Sequence, residues 1–321
     1  MSETTANAIE VVDLHKTFGK SVKALDGVTF SVPTGTVIGL LGPNGAGKTT
    51  TVRVLTTTLI PDSGHAIVNG FDVVKKANRV RSSIGLAGQY AAVDENLTGR
   101  ENLRMIGQLF QLSRKDAKRV ADELLEHFRL TEAADRPAKT YSGGMRRRLD
   151  IAAALVLRPP VLFLDEPTTG LDPNSRNAVW EIVEELVNNG TTVLLTTQYL
   201  EEADRLADNI VVVDKGKVIA EGPPAQLKAK LGETVLDLTF ADHDAAHRAA
   251  ALFSDWSAAP IIEGSVVEIS IDAGPSQVMD ALRRVESAGI GLTNILMREP
   301  SLDDVFLSLT GHKAELGDDE Q

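Results

Sequence analysis

A glycine-rich segment that ends in a lysine and a threonine, Gly42-Pro-Asn-Gly-Ala-Gly-Lys48-Thr49, has the composition of an anion-binding loop. It follows a short apolar run, Val37–Leu41, that predicts a buried strand, and it leads into residues 49–59, which predict a helix. Glycines let backbone N–H groups crowd around an anion, and a helix N-terminus adds free amides and a positive dipole end. Lys48 is placed to meet the β- and γ-phosphates of a nucleotide, and the Thr49 hydroxyl to ligate Mg²⁺. The alternative is a glycine-rich turn that binds nothing.

The predicted nucleotide contacts extend over the whole loop. They are Gly42, Pro43, Asn44, Gly45, Ala46, Gly47, Lys48, Thr49 and Thr50. At average glycine usage, the four fixed positions of this motif match by chance in roughly one or two chains in a hundred of this length. The flanking strand and helix lower that frequency further. The loop therefore predicts a site for ATP with Mg²⁺.

A pair of carboxylates supplies the second element of the predicted site. Residues 161–164 are apolar and predict a strand buried on both faces, and Asp165-Glu166 follows at its carboxyl end. Ligands of open α/β sheets bind at that end of the strands. Asp165 would hold Mg²⁺ through water, and Glu166 would orient or deprotonate the attacking water. The alternative is a pair of surface carboxylates that cap a strand.

A second glycine-rich segment, Tyr141-Ser-Gly-Gly-Met145, lies between the phosphate loop and the carboxylates. It opens a helix predicted over residues 146–157, which Ser142 can cap, while Gly143 and Gly144 expose amides toward an anion. An isolated segment of this kind would be a simple helix cap. In this order of motifs, however, the chain resembles an ABC-type ATPase. In that family the segment grips the γ-phosphate bound on the opposite protomer, which implies a homodimer joined by ATP.

The same resemblance implies functional roles for three further residues. Gln89, after the strand-like residues 84–87, resembles the glutamine that reaches Mg²⁺ and the attacking water and senses the membrane partner. Asp172 resembles a residue of the loop that crosses the dimer interface. Phe18 resembles the aromatic residue that stacks on adenine, and its alternative is a core phenylalanine near the end of a strand.

Two positions depart from the usual pattern of the family. Met145 stands where glutamine is usual, which leaves the Ser-Gly-Gly core intact. After the strand predicted over residues 192–195, Gln198 stands where a histidine usually contacts the γ-phosphate. An amide can donate to a phosphate oxygen, but it carries neither a titratable proton nor a positive charge. We therefore expect Gln198 to belong to the catalytic site and hydrolysis to be slow.

Composition and charge narrow the range of functions. The 321 residues allow two domains, and without cysteine the chain has no disulfides, thiolate metal sites or cysteine nucleophiles, which fits the cytosol. No apolar run reaches the roughly twenty residues that span a bilayer, and the N-terminus does not resemble a signal peptide. Residues 230–321 hold 17 acidic against 6 basic side chains and supply almost all of the net charge of −12. A nucleic-acid partner, which needs a basic face, is not expected.

The pattern divides the chain into an α/β domain and a smaller α+β domain. Residues 1–8 are predicted to be a flexible N-terminus, and residues 9–229 an ABC-type P-loop nucleotide-binding domain with a helical subdomain at about 98–158. Residues 230–313 read as a small α+β accessory domain, for which a ferredoxin-like arrangement is one candidate. Residues 314–321 are predicted to be a disordered acidic tail.

Two predictions concern the surfaces of helices. Apolar residues recur at the i, i+3, i+4 spacing of one helix face, which predicts that this face is buried; they are Ala117, Val120, Ala121, Leu124, Leu125 and Phe128. The run Arg146-Arg147-Arg148 is interpreted as a solvated or salt-bridged helix face, with a role near the phosphates or the partner as the alternative.

From about residue 9 to about residue 312 the chain is similar to the daunorubicin/doxorubicin-resistance group of ABC ATP-binding subunits. The likeness is carried by residues 88–99, 141–151, 194–200 and 301–307. It implies an ATP-hydrolysing subunit, peripheral on the cytoplasmic face of the membrane. Such a subunit dimerises with ATP and energises export of a drug or lipid-like compound through separate transmembrane permease subunits.

Two other functions stay open at this point. One is a soluble ABC ATPase of the DNA-repair or translation type, although such relatives usually have a coiled-coil insertion or tandem cassettes, and this sequence has neither. The other is a regulatory or immunity protein that binds ATP but barely hydrolyses it, which Gln198 would suit. An ATPase assay with and without a membrane subunit separates these functions.

Overall fold

The computed structural model describes residues 6–19, 21–89, 92–229, 234–256, 259–271 and 274–310. These residues form two compact units, divided between Pro223 and Pro224. The predicted tail at 314–321 and residues 1–5 of the predicted flexible N-terminus lie outside the described residues. Asn7 and Ala8 belong to a strand instead, because Ala8 O accepts a hydrogen bond from Asn69 N at 2.7 Å.

The first unit alternates strands and helices. Its elements are β1 (Asn7–Phe18), β2 (Val22–Pro33), β3 (Val37–Leu41), α1 (Lys48–Leu55), β4 (Ser63–Val68), β5 (Phe71–Asp72), α2 (Ala77–Arg81), β6 (Ile84–Ala87), α3 (Gly99–Leu109), α4 (Arg114–His127), α5 (Gly143–Ala154), β7 (Val161–Asp165), α6 (Pro173–Asn188), β8 (Thr192–Thr197), α7 (Leu200–Leu206), β9 (Asn209–Asp214) and β10 (Lys217–Gly222). Two short 3-10 helices, Thr131–Ala133 and Ala138–Thr140, lie between α4 and α5.

A six-stranded sheet in the order β10-β9-β3-β8-β7-β6 runs through this unit. Its neighbouring strands are parallel except for β10 and β9. Every residue of β3 and β7 is buried, as their continuous apolar sequences predict for strands covered on both faces. Because the carboxyl ends of parallel strands meet at one edge, the segments after β3, β6, β7 and β8 lie side by side.

Each face of this sheet has its own hydrophobic core. On one face, Leu40 of β3 and Val52 of α1 share a core with Ile9 of β1, which belongs to an antiparallel sheet in the order β2-β1-β4-β5. On the other face, Leu164 of β7 shares a core with Leu125 of α4. The predicted face of α4 is confirmed: its residues are buried, apart from Leu124, which is half-buried.

Two helices have bounds that differ from the prediction. α1 ends at Leu55 rather than at residue 59, because Thr57 adopts a left-handed conformation with a φ of 64°. The hydroxyl of Thr56 also bonds back to Val52 O at 2.8 Å. α5 begins directly after its cap Ser142 and ends at Ala154, before the residue pair Pro159-Pro160, which cannot continue a helix.

The second unit is α+β. Its elements are α8 (Pro224–Ala229), β11 (Thr234–Phe240), α9 (His243–Ala250), β12 (Ile261–Glu263), β13 (Val266–Ile271), α10 (Pro275–Ser287), β14 (Leu292–Arg298) and α11 (Leu302–Thr310), with a 3-10 helix at Ala251–Phe253. From β11 to β14 the order is β-α-β-β-α-β, the order of the ferredoxin-like motif, in an antiparallel sheet β12-β13-β11-β14. β12, with three residues, was not predicted, and α8 belongs to this unit rather than to the first domain.

Within the part of the chain that the structure describes, no helix has the length and apolar composition that crossing a membrane requires.

Candidate active site

The phosphate loop leaves the carboxyl end of β3 and turns sharply into α1. Gly47 precedes α1 with a φ of 113°, a conformation that favours glycine, and a Cβ there would lie 2.5 Å from Ala24 O. Lys48 is buried, and its Nζ donates to Gly42 O at 2.6 Å and to Pro43 O at 3.1 Å. The loop thus surrounds an ammonium group, which its own carbonyl oxygens hold in place. This arrangement suits a bound anion.

A cavity of about 250 Å³ opens over this loop. Its lining residues are Asn44, Gly45, Gly47, Lys48, Thr49, Thr50, Gln89 and Glu166. Each of them was predicted to belong to the site, so the segments after β3, β6 and β7 do meet there. Of the other loop residues, Gly42 and Pro43 hold Lys48, whereas Ala46 is packed into the core.

Phe18 and Gln198 are among the predicted residues that do not line this cavity. Phe18 stands at the end of β1 and is 41% exposed, so it is not a core phenylalanine. Gln198 follows β8 and is half-buried, between Thr197 and Tyr199. The amide of Tyr199 donates to Thr197 Oγ1 at 2.9 Å, which shapes the turn around Gln198. The roles of Phe18 and Gln198 stay predictions.

Asp165, the last residue of β7, is held by two hydroxyl groups. Thr196 Oγ1 donates to Asp165 Oδ1 at 2.5 Å, and Thr49 Oγ1 donates to the same oxygen at 3.5 Å. A carboxylate beside a hydroxyl offers the hard oxygen ligands that Mg²⁺ takes together with substrate phosphates and water. The donor set therefore fits Mg²⁺, and Gln89, which has a further amide oxygen, lines the loop cavity together with Thr49.

Glu166 has a strained backbone directly after β7. Its φ of 48° lies in the left-handed region, and its N–H donates to both O and Oγ1 of Thr196 at 3.1 Å. Thr169 Oγ1 donates to Glu166 Oε2 at 3.5 Å. Besides the loop cavity, Glu166 lines a second cavity of about 520 Å³. The residues around that cavity are Gln89, Gly143, Arg146, Arg147, Glu166, Thr169, Gly170 and Leu171. The carboxylate therefore faces both spaces, where a water molecule can reach it.

Two helix caps lie close together beside the second cavity. Ser142 Oγ accepts a hydrogen bond from Met145 N at 3.3 Å and caps α5, as predicted. Asp172 caps α6 through Ser175 N at 3.0 Å. A Cβ at Gly144 would lie 2.3 Å from Ser175 Oγ, so the two helix starts approach closely only because this residue is glycine. Neither Ser142 nor Gly144 lines the phosphate-loop cavity of the same chain.

Arg147 was not expected among the site residues. Its side chain is only 11% exposed, because it turns inward from α5. Nη1 donates to Gly88 O at 2.6 Å, Nε to Pro167 O at 2.8 Å and Nη2 to Asp165 O at 3.1 Å. This arginine is therefore not solvated, whereas the salt-bridged alternative of the same interpretation is confirmed by its ion pair with Asp150. A run of three arginines gave no signal for the burial of its middle member.

Asp150 is the salt-bridge partner of Arg147. Its Oδ2 lies 3.2 Å from Arg147 Nη1, and its Oδ1 accepts a hydrogen bond from Ala92 N at 2.7 Å. Burial raises the pKa of the Asp150 carboxyl and lowers the pKa of the Arg147 guanidinium. The pair is thus a buried ionic connection between α5 and the segment after β6, and the sequence analysis missed it.

A second unexpected acid, Glu202, is fully buried on α7. Its Oε1 accepts hydrogen bonds from Thr168 Oγ1 and Trp180 Nε1, both at 2.9 Å. Burial raises the pKa of the Glu202 carboxyl. Thr168 follows Glu166 by two positions, so Glu202 connects the turn after β7 to α6 and α7. The sequence does not indicate that this glutamate is buried, because it lies among other polar residues at the start of a helix.

Comparison with known proteins shows the family. A model of the ABC transporter family matches residues 25–169. The chain is 50% identical over 311 residues to the daunorubicin resistance ATP-binding protein DrrA2 of Streptomyces coeruleorubidus, with 96% of both chains covered. It is 47% identical over 314 residues to the doxorubicin resistance ATP-binding protein DrrA of Mycobacterium tuberculosis, with 96% of this chain and 95% of that protein covered. The chain belongs to the ABC transporter ATP-binding proteins.

Solved structures agree with this family. An ATP-binding subunit of an ABC transporter is 31% identical, with a TM-score of 0.62 over 70% of this chain and 92% of that chain. An ATP-binding cassette of an ABC transporter in an ADP conformation is 30% identical, with a TM-score of 0.63 over 69% of this chain and 93% of that chain. The predicted ABC-type fold is confirmed, and the chain is an ATPase of an ABC transporter.

One departure from the family pattern has a structural explanation. In this ABC ATP-binding protein, Met145 packs partly buried against the core that includes Leu149 and Tyr141. A thioether fills such an irregular apolar gap better than an amide would. The Ser142 cap and the two glycines are unaffected by the exchange, since the cap bond uses only the backbone N–H of Met145.

Proposed function

We propose that this protein is the ATP-hydrolysing subunit of an exporter for a drug or lipid-like compound. Two copies would lie at the cytoplasmic face of the membrane, against separate membrane subunits. The proposal is supported by near-full-length likeness to relatives named for daunorubicin or doxorubicin resistance, at 47% to 51% identity. A Nod factor export ATP-binding protein of a Rhizobium species is 38% identical over 309 residues. Together these names favour export over import.

The phosphate loop would bind the nucleotide. Lys48 Nζ has three N–H donors, so it can exchange its bonds to Gly42 O and Pro43 O for phosphate oxygens. The Thr49 hydroxyl, Asp165 and the Gln89 amide would hold Mg²⁺, directly or through water. When bound, Mg²⁺ neutralises charge on the β- and γ-phosphate oxygens. Thr196, which donates to Asp165, keeps that carboxylate in a single orientation.

Glu166 would position the attacking water. The water oxygen forms a bond to the γ-phosphorus, and the bond from that phosphorus to the ADP oxygen breaks. The water proton passes to Glu166 or to a phosphate oxygen, and Glu166 orients the water in either case. The Gln198 amide would donate to a γ-phosphate oxygen without supplying positive charge.

A second copy of the chain would complete each nucleotide site. Ser142 and Gly144 stand at the N-terminus of α5, whose amides and dipole favour an anion. Because they do not line the cavity over their own phosphate loop, the anion they suit would be the nucleotide of the opposite protomer. Asp172 would stand at the same interface, next to Ser175 and Gly144. ATP between the two surfaces would then close the dimer.

The observation that carries this proposal is the cavity shared by Lys48, Gln89 and Glu166, three residues that follow three strands at one edge of the same sheet. The test is reconstitution of the full chain with its co-expressed membrane subunits in inside-out vesicles. We expect ATP-dependent accumulation of doxorubicin, which Lys48→Ala abolishes. ATP turnover that responds to DNA or ribosomes and not to the membrane subunits would favour the soluble mechanical ATPase instead.

A further inference from the structure

Arg147 and Asp150 bond to the two ends of a short segment that begins at Gly88 and ends at Ala92, of which the structure describes Gly88, Gln89 and Ala92. At its start, Gly88 O accepts a hydrogen bond from Arg147 Nη1 at 2.6 Å. At its end, Ala92 N donates to Asp150 Oδ1 at 2.7 Å. Gln89 lies within this segment, next to Gly88. Both ends are thus attached to the same turn of α5.

We propose that the Arg147–Asp150 pair positions Gln89 for ATP hydrolysis. The inference rests on the proposed function, in which Gln89 contacts Mg²⁺ and the attacking water. The two side chains are 11% and 1% exposed and lie 3.2 Å apart, so water does not compete for their bonds. Charge-assisted hydrogen bonds of this kind are shorter and stronger than neutral ones. The segment ends are therefore fixed, and Gln89 keeps its place in both cavities.

The same guanidinium also holds the turn that carries Glu166. Arg147 Nη2 donates to Asp165 O at 3.1 Å, just before Glu166, and Nε donates to Pro167 O at 2.8 Å, just after it. A guanidinium is a rigid planar fork, so its bonds fix their acceptors relative to one another. Arg147 thereby sets the distance between the segment of Gln89 and the turn of Glu166. A lysine, with a single flexible ammonium group, cannot make the same set of bonds.

Asp150 gives the cleaner test, because its described bonds go only to Ala92 N and to Arg147. The variants are Asp150→Ala, Gln89→Ala and the double variant, with Asp244→Ala, an exposed acid of the second unit, as the control. For each full-length protein, kcat is measured by steady-state ATPase assay and nucleotide affinity by titration with a fluorescent ATP analogue. If Asp150→Ala does not fold, the cycle uses Asp150→Leu, which fills the buried space but cannot accept a hydrogen bond from Ala92 N.

We expect Asp150→Ala to lower kcat by between about tenfold and a hundredfold, as small misplacements of catalytic groups do, with nucleotide affinity unchanged. In the Gln89→Ala background the same change should lower kcat no further, because Arg147 keeps its own bonds to the turn of Glu166 and Asp150 acts through Gln89. The positioning role would be overturned if kcat of the double variant fell by the product of the two single-variant factors. It would also be overturned if Asp150→Ala lowered nucleotide affinity. A wild-type kcat for Gln89→Ala alone would instead overturn the role proposed for Gln89, which is a distinguishable failure.

Discussion

Thr196 Oγ1 donates to Asp165 Oδ1 at 2.5 Å. The two residues are direct neighbours in the parallel register of β7 and β8, and the backbone carbonyl of Thr196 also accepts the amide of Glu166. One threonine therefore contacts both carboxylate residues of the site. These bonds also hold the end of β8, where Thr196 and Thr197 directly precede Gln198. Strand register thus places both carboxylate residues beside Thr196.

Changing Lys48 to Ala should abolish productive ATP binding, because the phosphates lose the buried cation at the centre of the loop. Lys115→Ala, an exposed lysine of α4, is the matched control and should bind and hydrolyse ATP like the wild type. Binding is measured by titration with a fluorescent ATP analogue and turnover by phosphate release. Undiminished turnover with micromolar affinity in Lys48→Ala would contradict the assignment of the loop.

Changing Gln198 to His should keep or raise the ATPase rate. The exchange supplies a titratable donor near the γ-phosphate, and Thr196 and Thr197 keep their own bonds at the end of β8. The measurement is the dependence of kcat on pH for both proteins, in which the variant should gain a titration near pH 6 to 7, about the ordinary pKa of histidine. A collapse of kcat with ATP binding preserved would mean that the pocket is built around the amide.

Glu202 should make the free energy of unfolding depend on pH. Burial raises the pKa of its carboxyl in the folded state, whereas the unfolded chain has a value of about 4.3. The folded state therefore keeps the proton to higher pH, and the stabilising contribution is complete below that unfolded value and declines as pH rises through the folded-state pKa. Glu202→Gln should lose this decline, and Glu201→Gln, an exposed neighbour, should not. The free energy of unfolding is measured by urea unfolding from pH 4 to pH 8. The same dependence of this free energy on pH in the wild type and both variants would contradict the prediction.

Truncation after Pro223 should leave ATP binding intact. Every phosphate-loop and carboxylate residue lies in the first unit, and the second unit has its own core, which includes Leu236, Phe253 and Ile269. We place the cut before α8, since α8 belongs to the second unit. Recovery of the membrane complex should fall in the truncated protein. Loss of nucleotide binding in a truncated protein that keeps its circular dichroism spectrum would place part of the site beyond Pro223.

The sequence predicts the site best where a residue follows a buried strand. β3 and β7 are continuous apolar runs, and in a parallel sheet the residues after them must meet, so Lys48, Asp165 and Glu166 could be predicted together. Arg147 and Asp150 could not be predicted, because charged residues in a helix give no signal for burial unless the partner is known. β12 is too short to show an alternating pattern, and the end of α1 depends on the left-handed Thr57, which no propensity indicates.

The Glu166→Gln variant tests whether ATP joins two copies of the chain through a shared site. This variant should bind ATP but hydrolyse it about 10²- to 10⁴-fold more slowly, because the positioned acid–base group is gone. The bound dimer would then persist for measurement. Two further variants in this background probe the opposite face of the site. Ser142→Asp keeps the helix cap but adds a negative charge toward the phosphates, and Ser142→Asn keeps the cap without the charge.

The measurement is the molar mass by light scattering after size-exclusion chromatography with ATP and Mg²⁺. We expect about twice the chain mass of 34.4 kDa for Glu166→Gln and for its combination with Ser142→Asn. With Ser142→Asp added, the mass should return to that of one chain. A Glu166→Gln protein that stays monomeric with ATP bound, or a dimer that is indifferent to Ser142→Asp, would contradict the shared site.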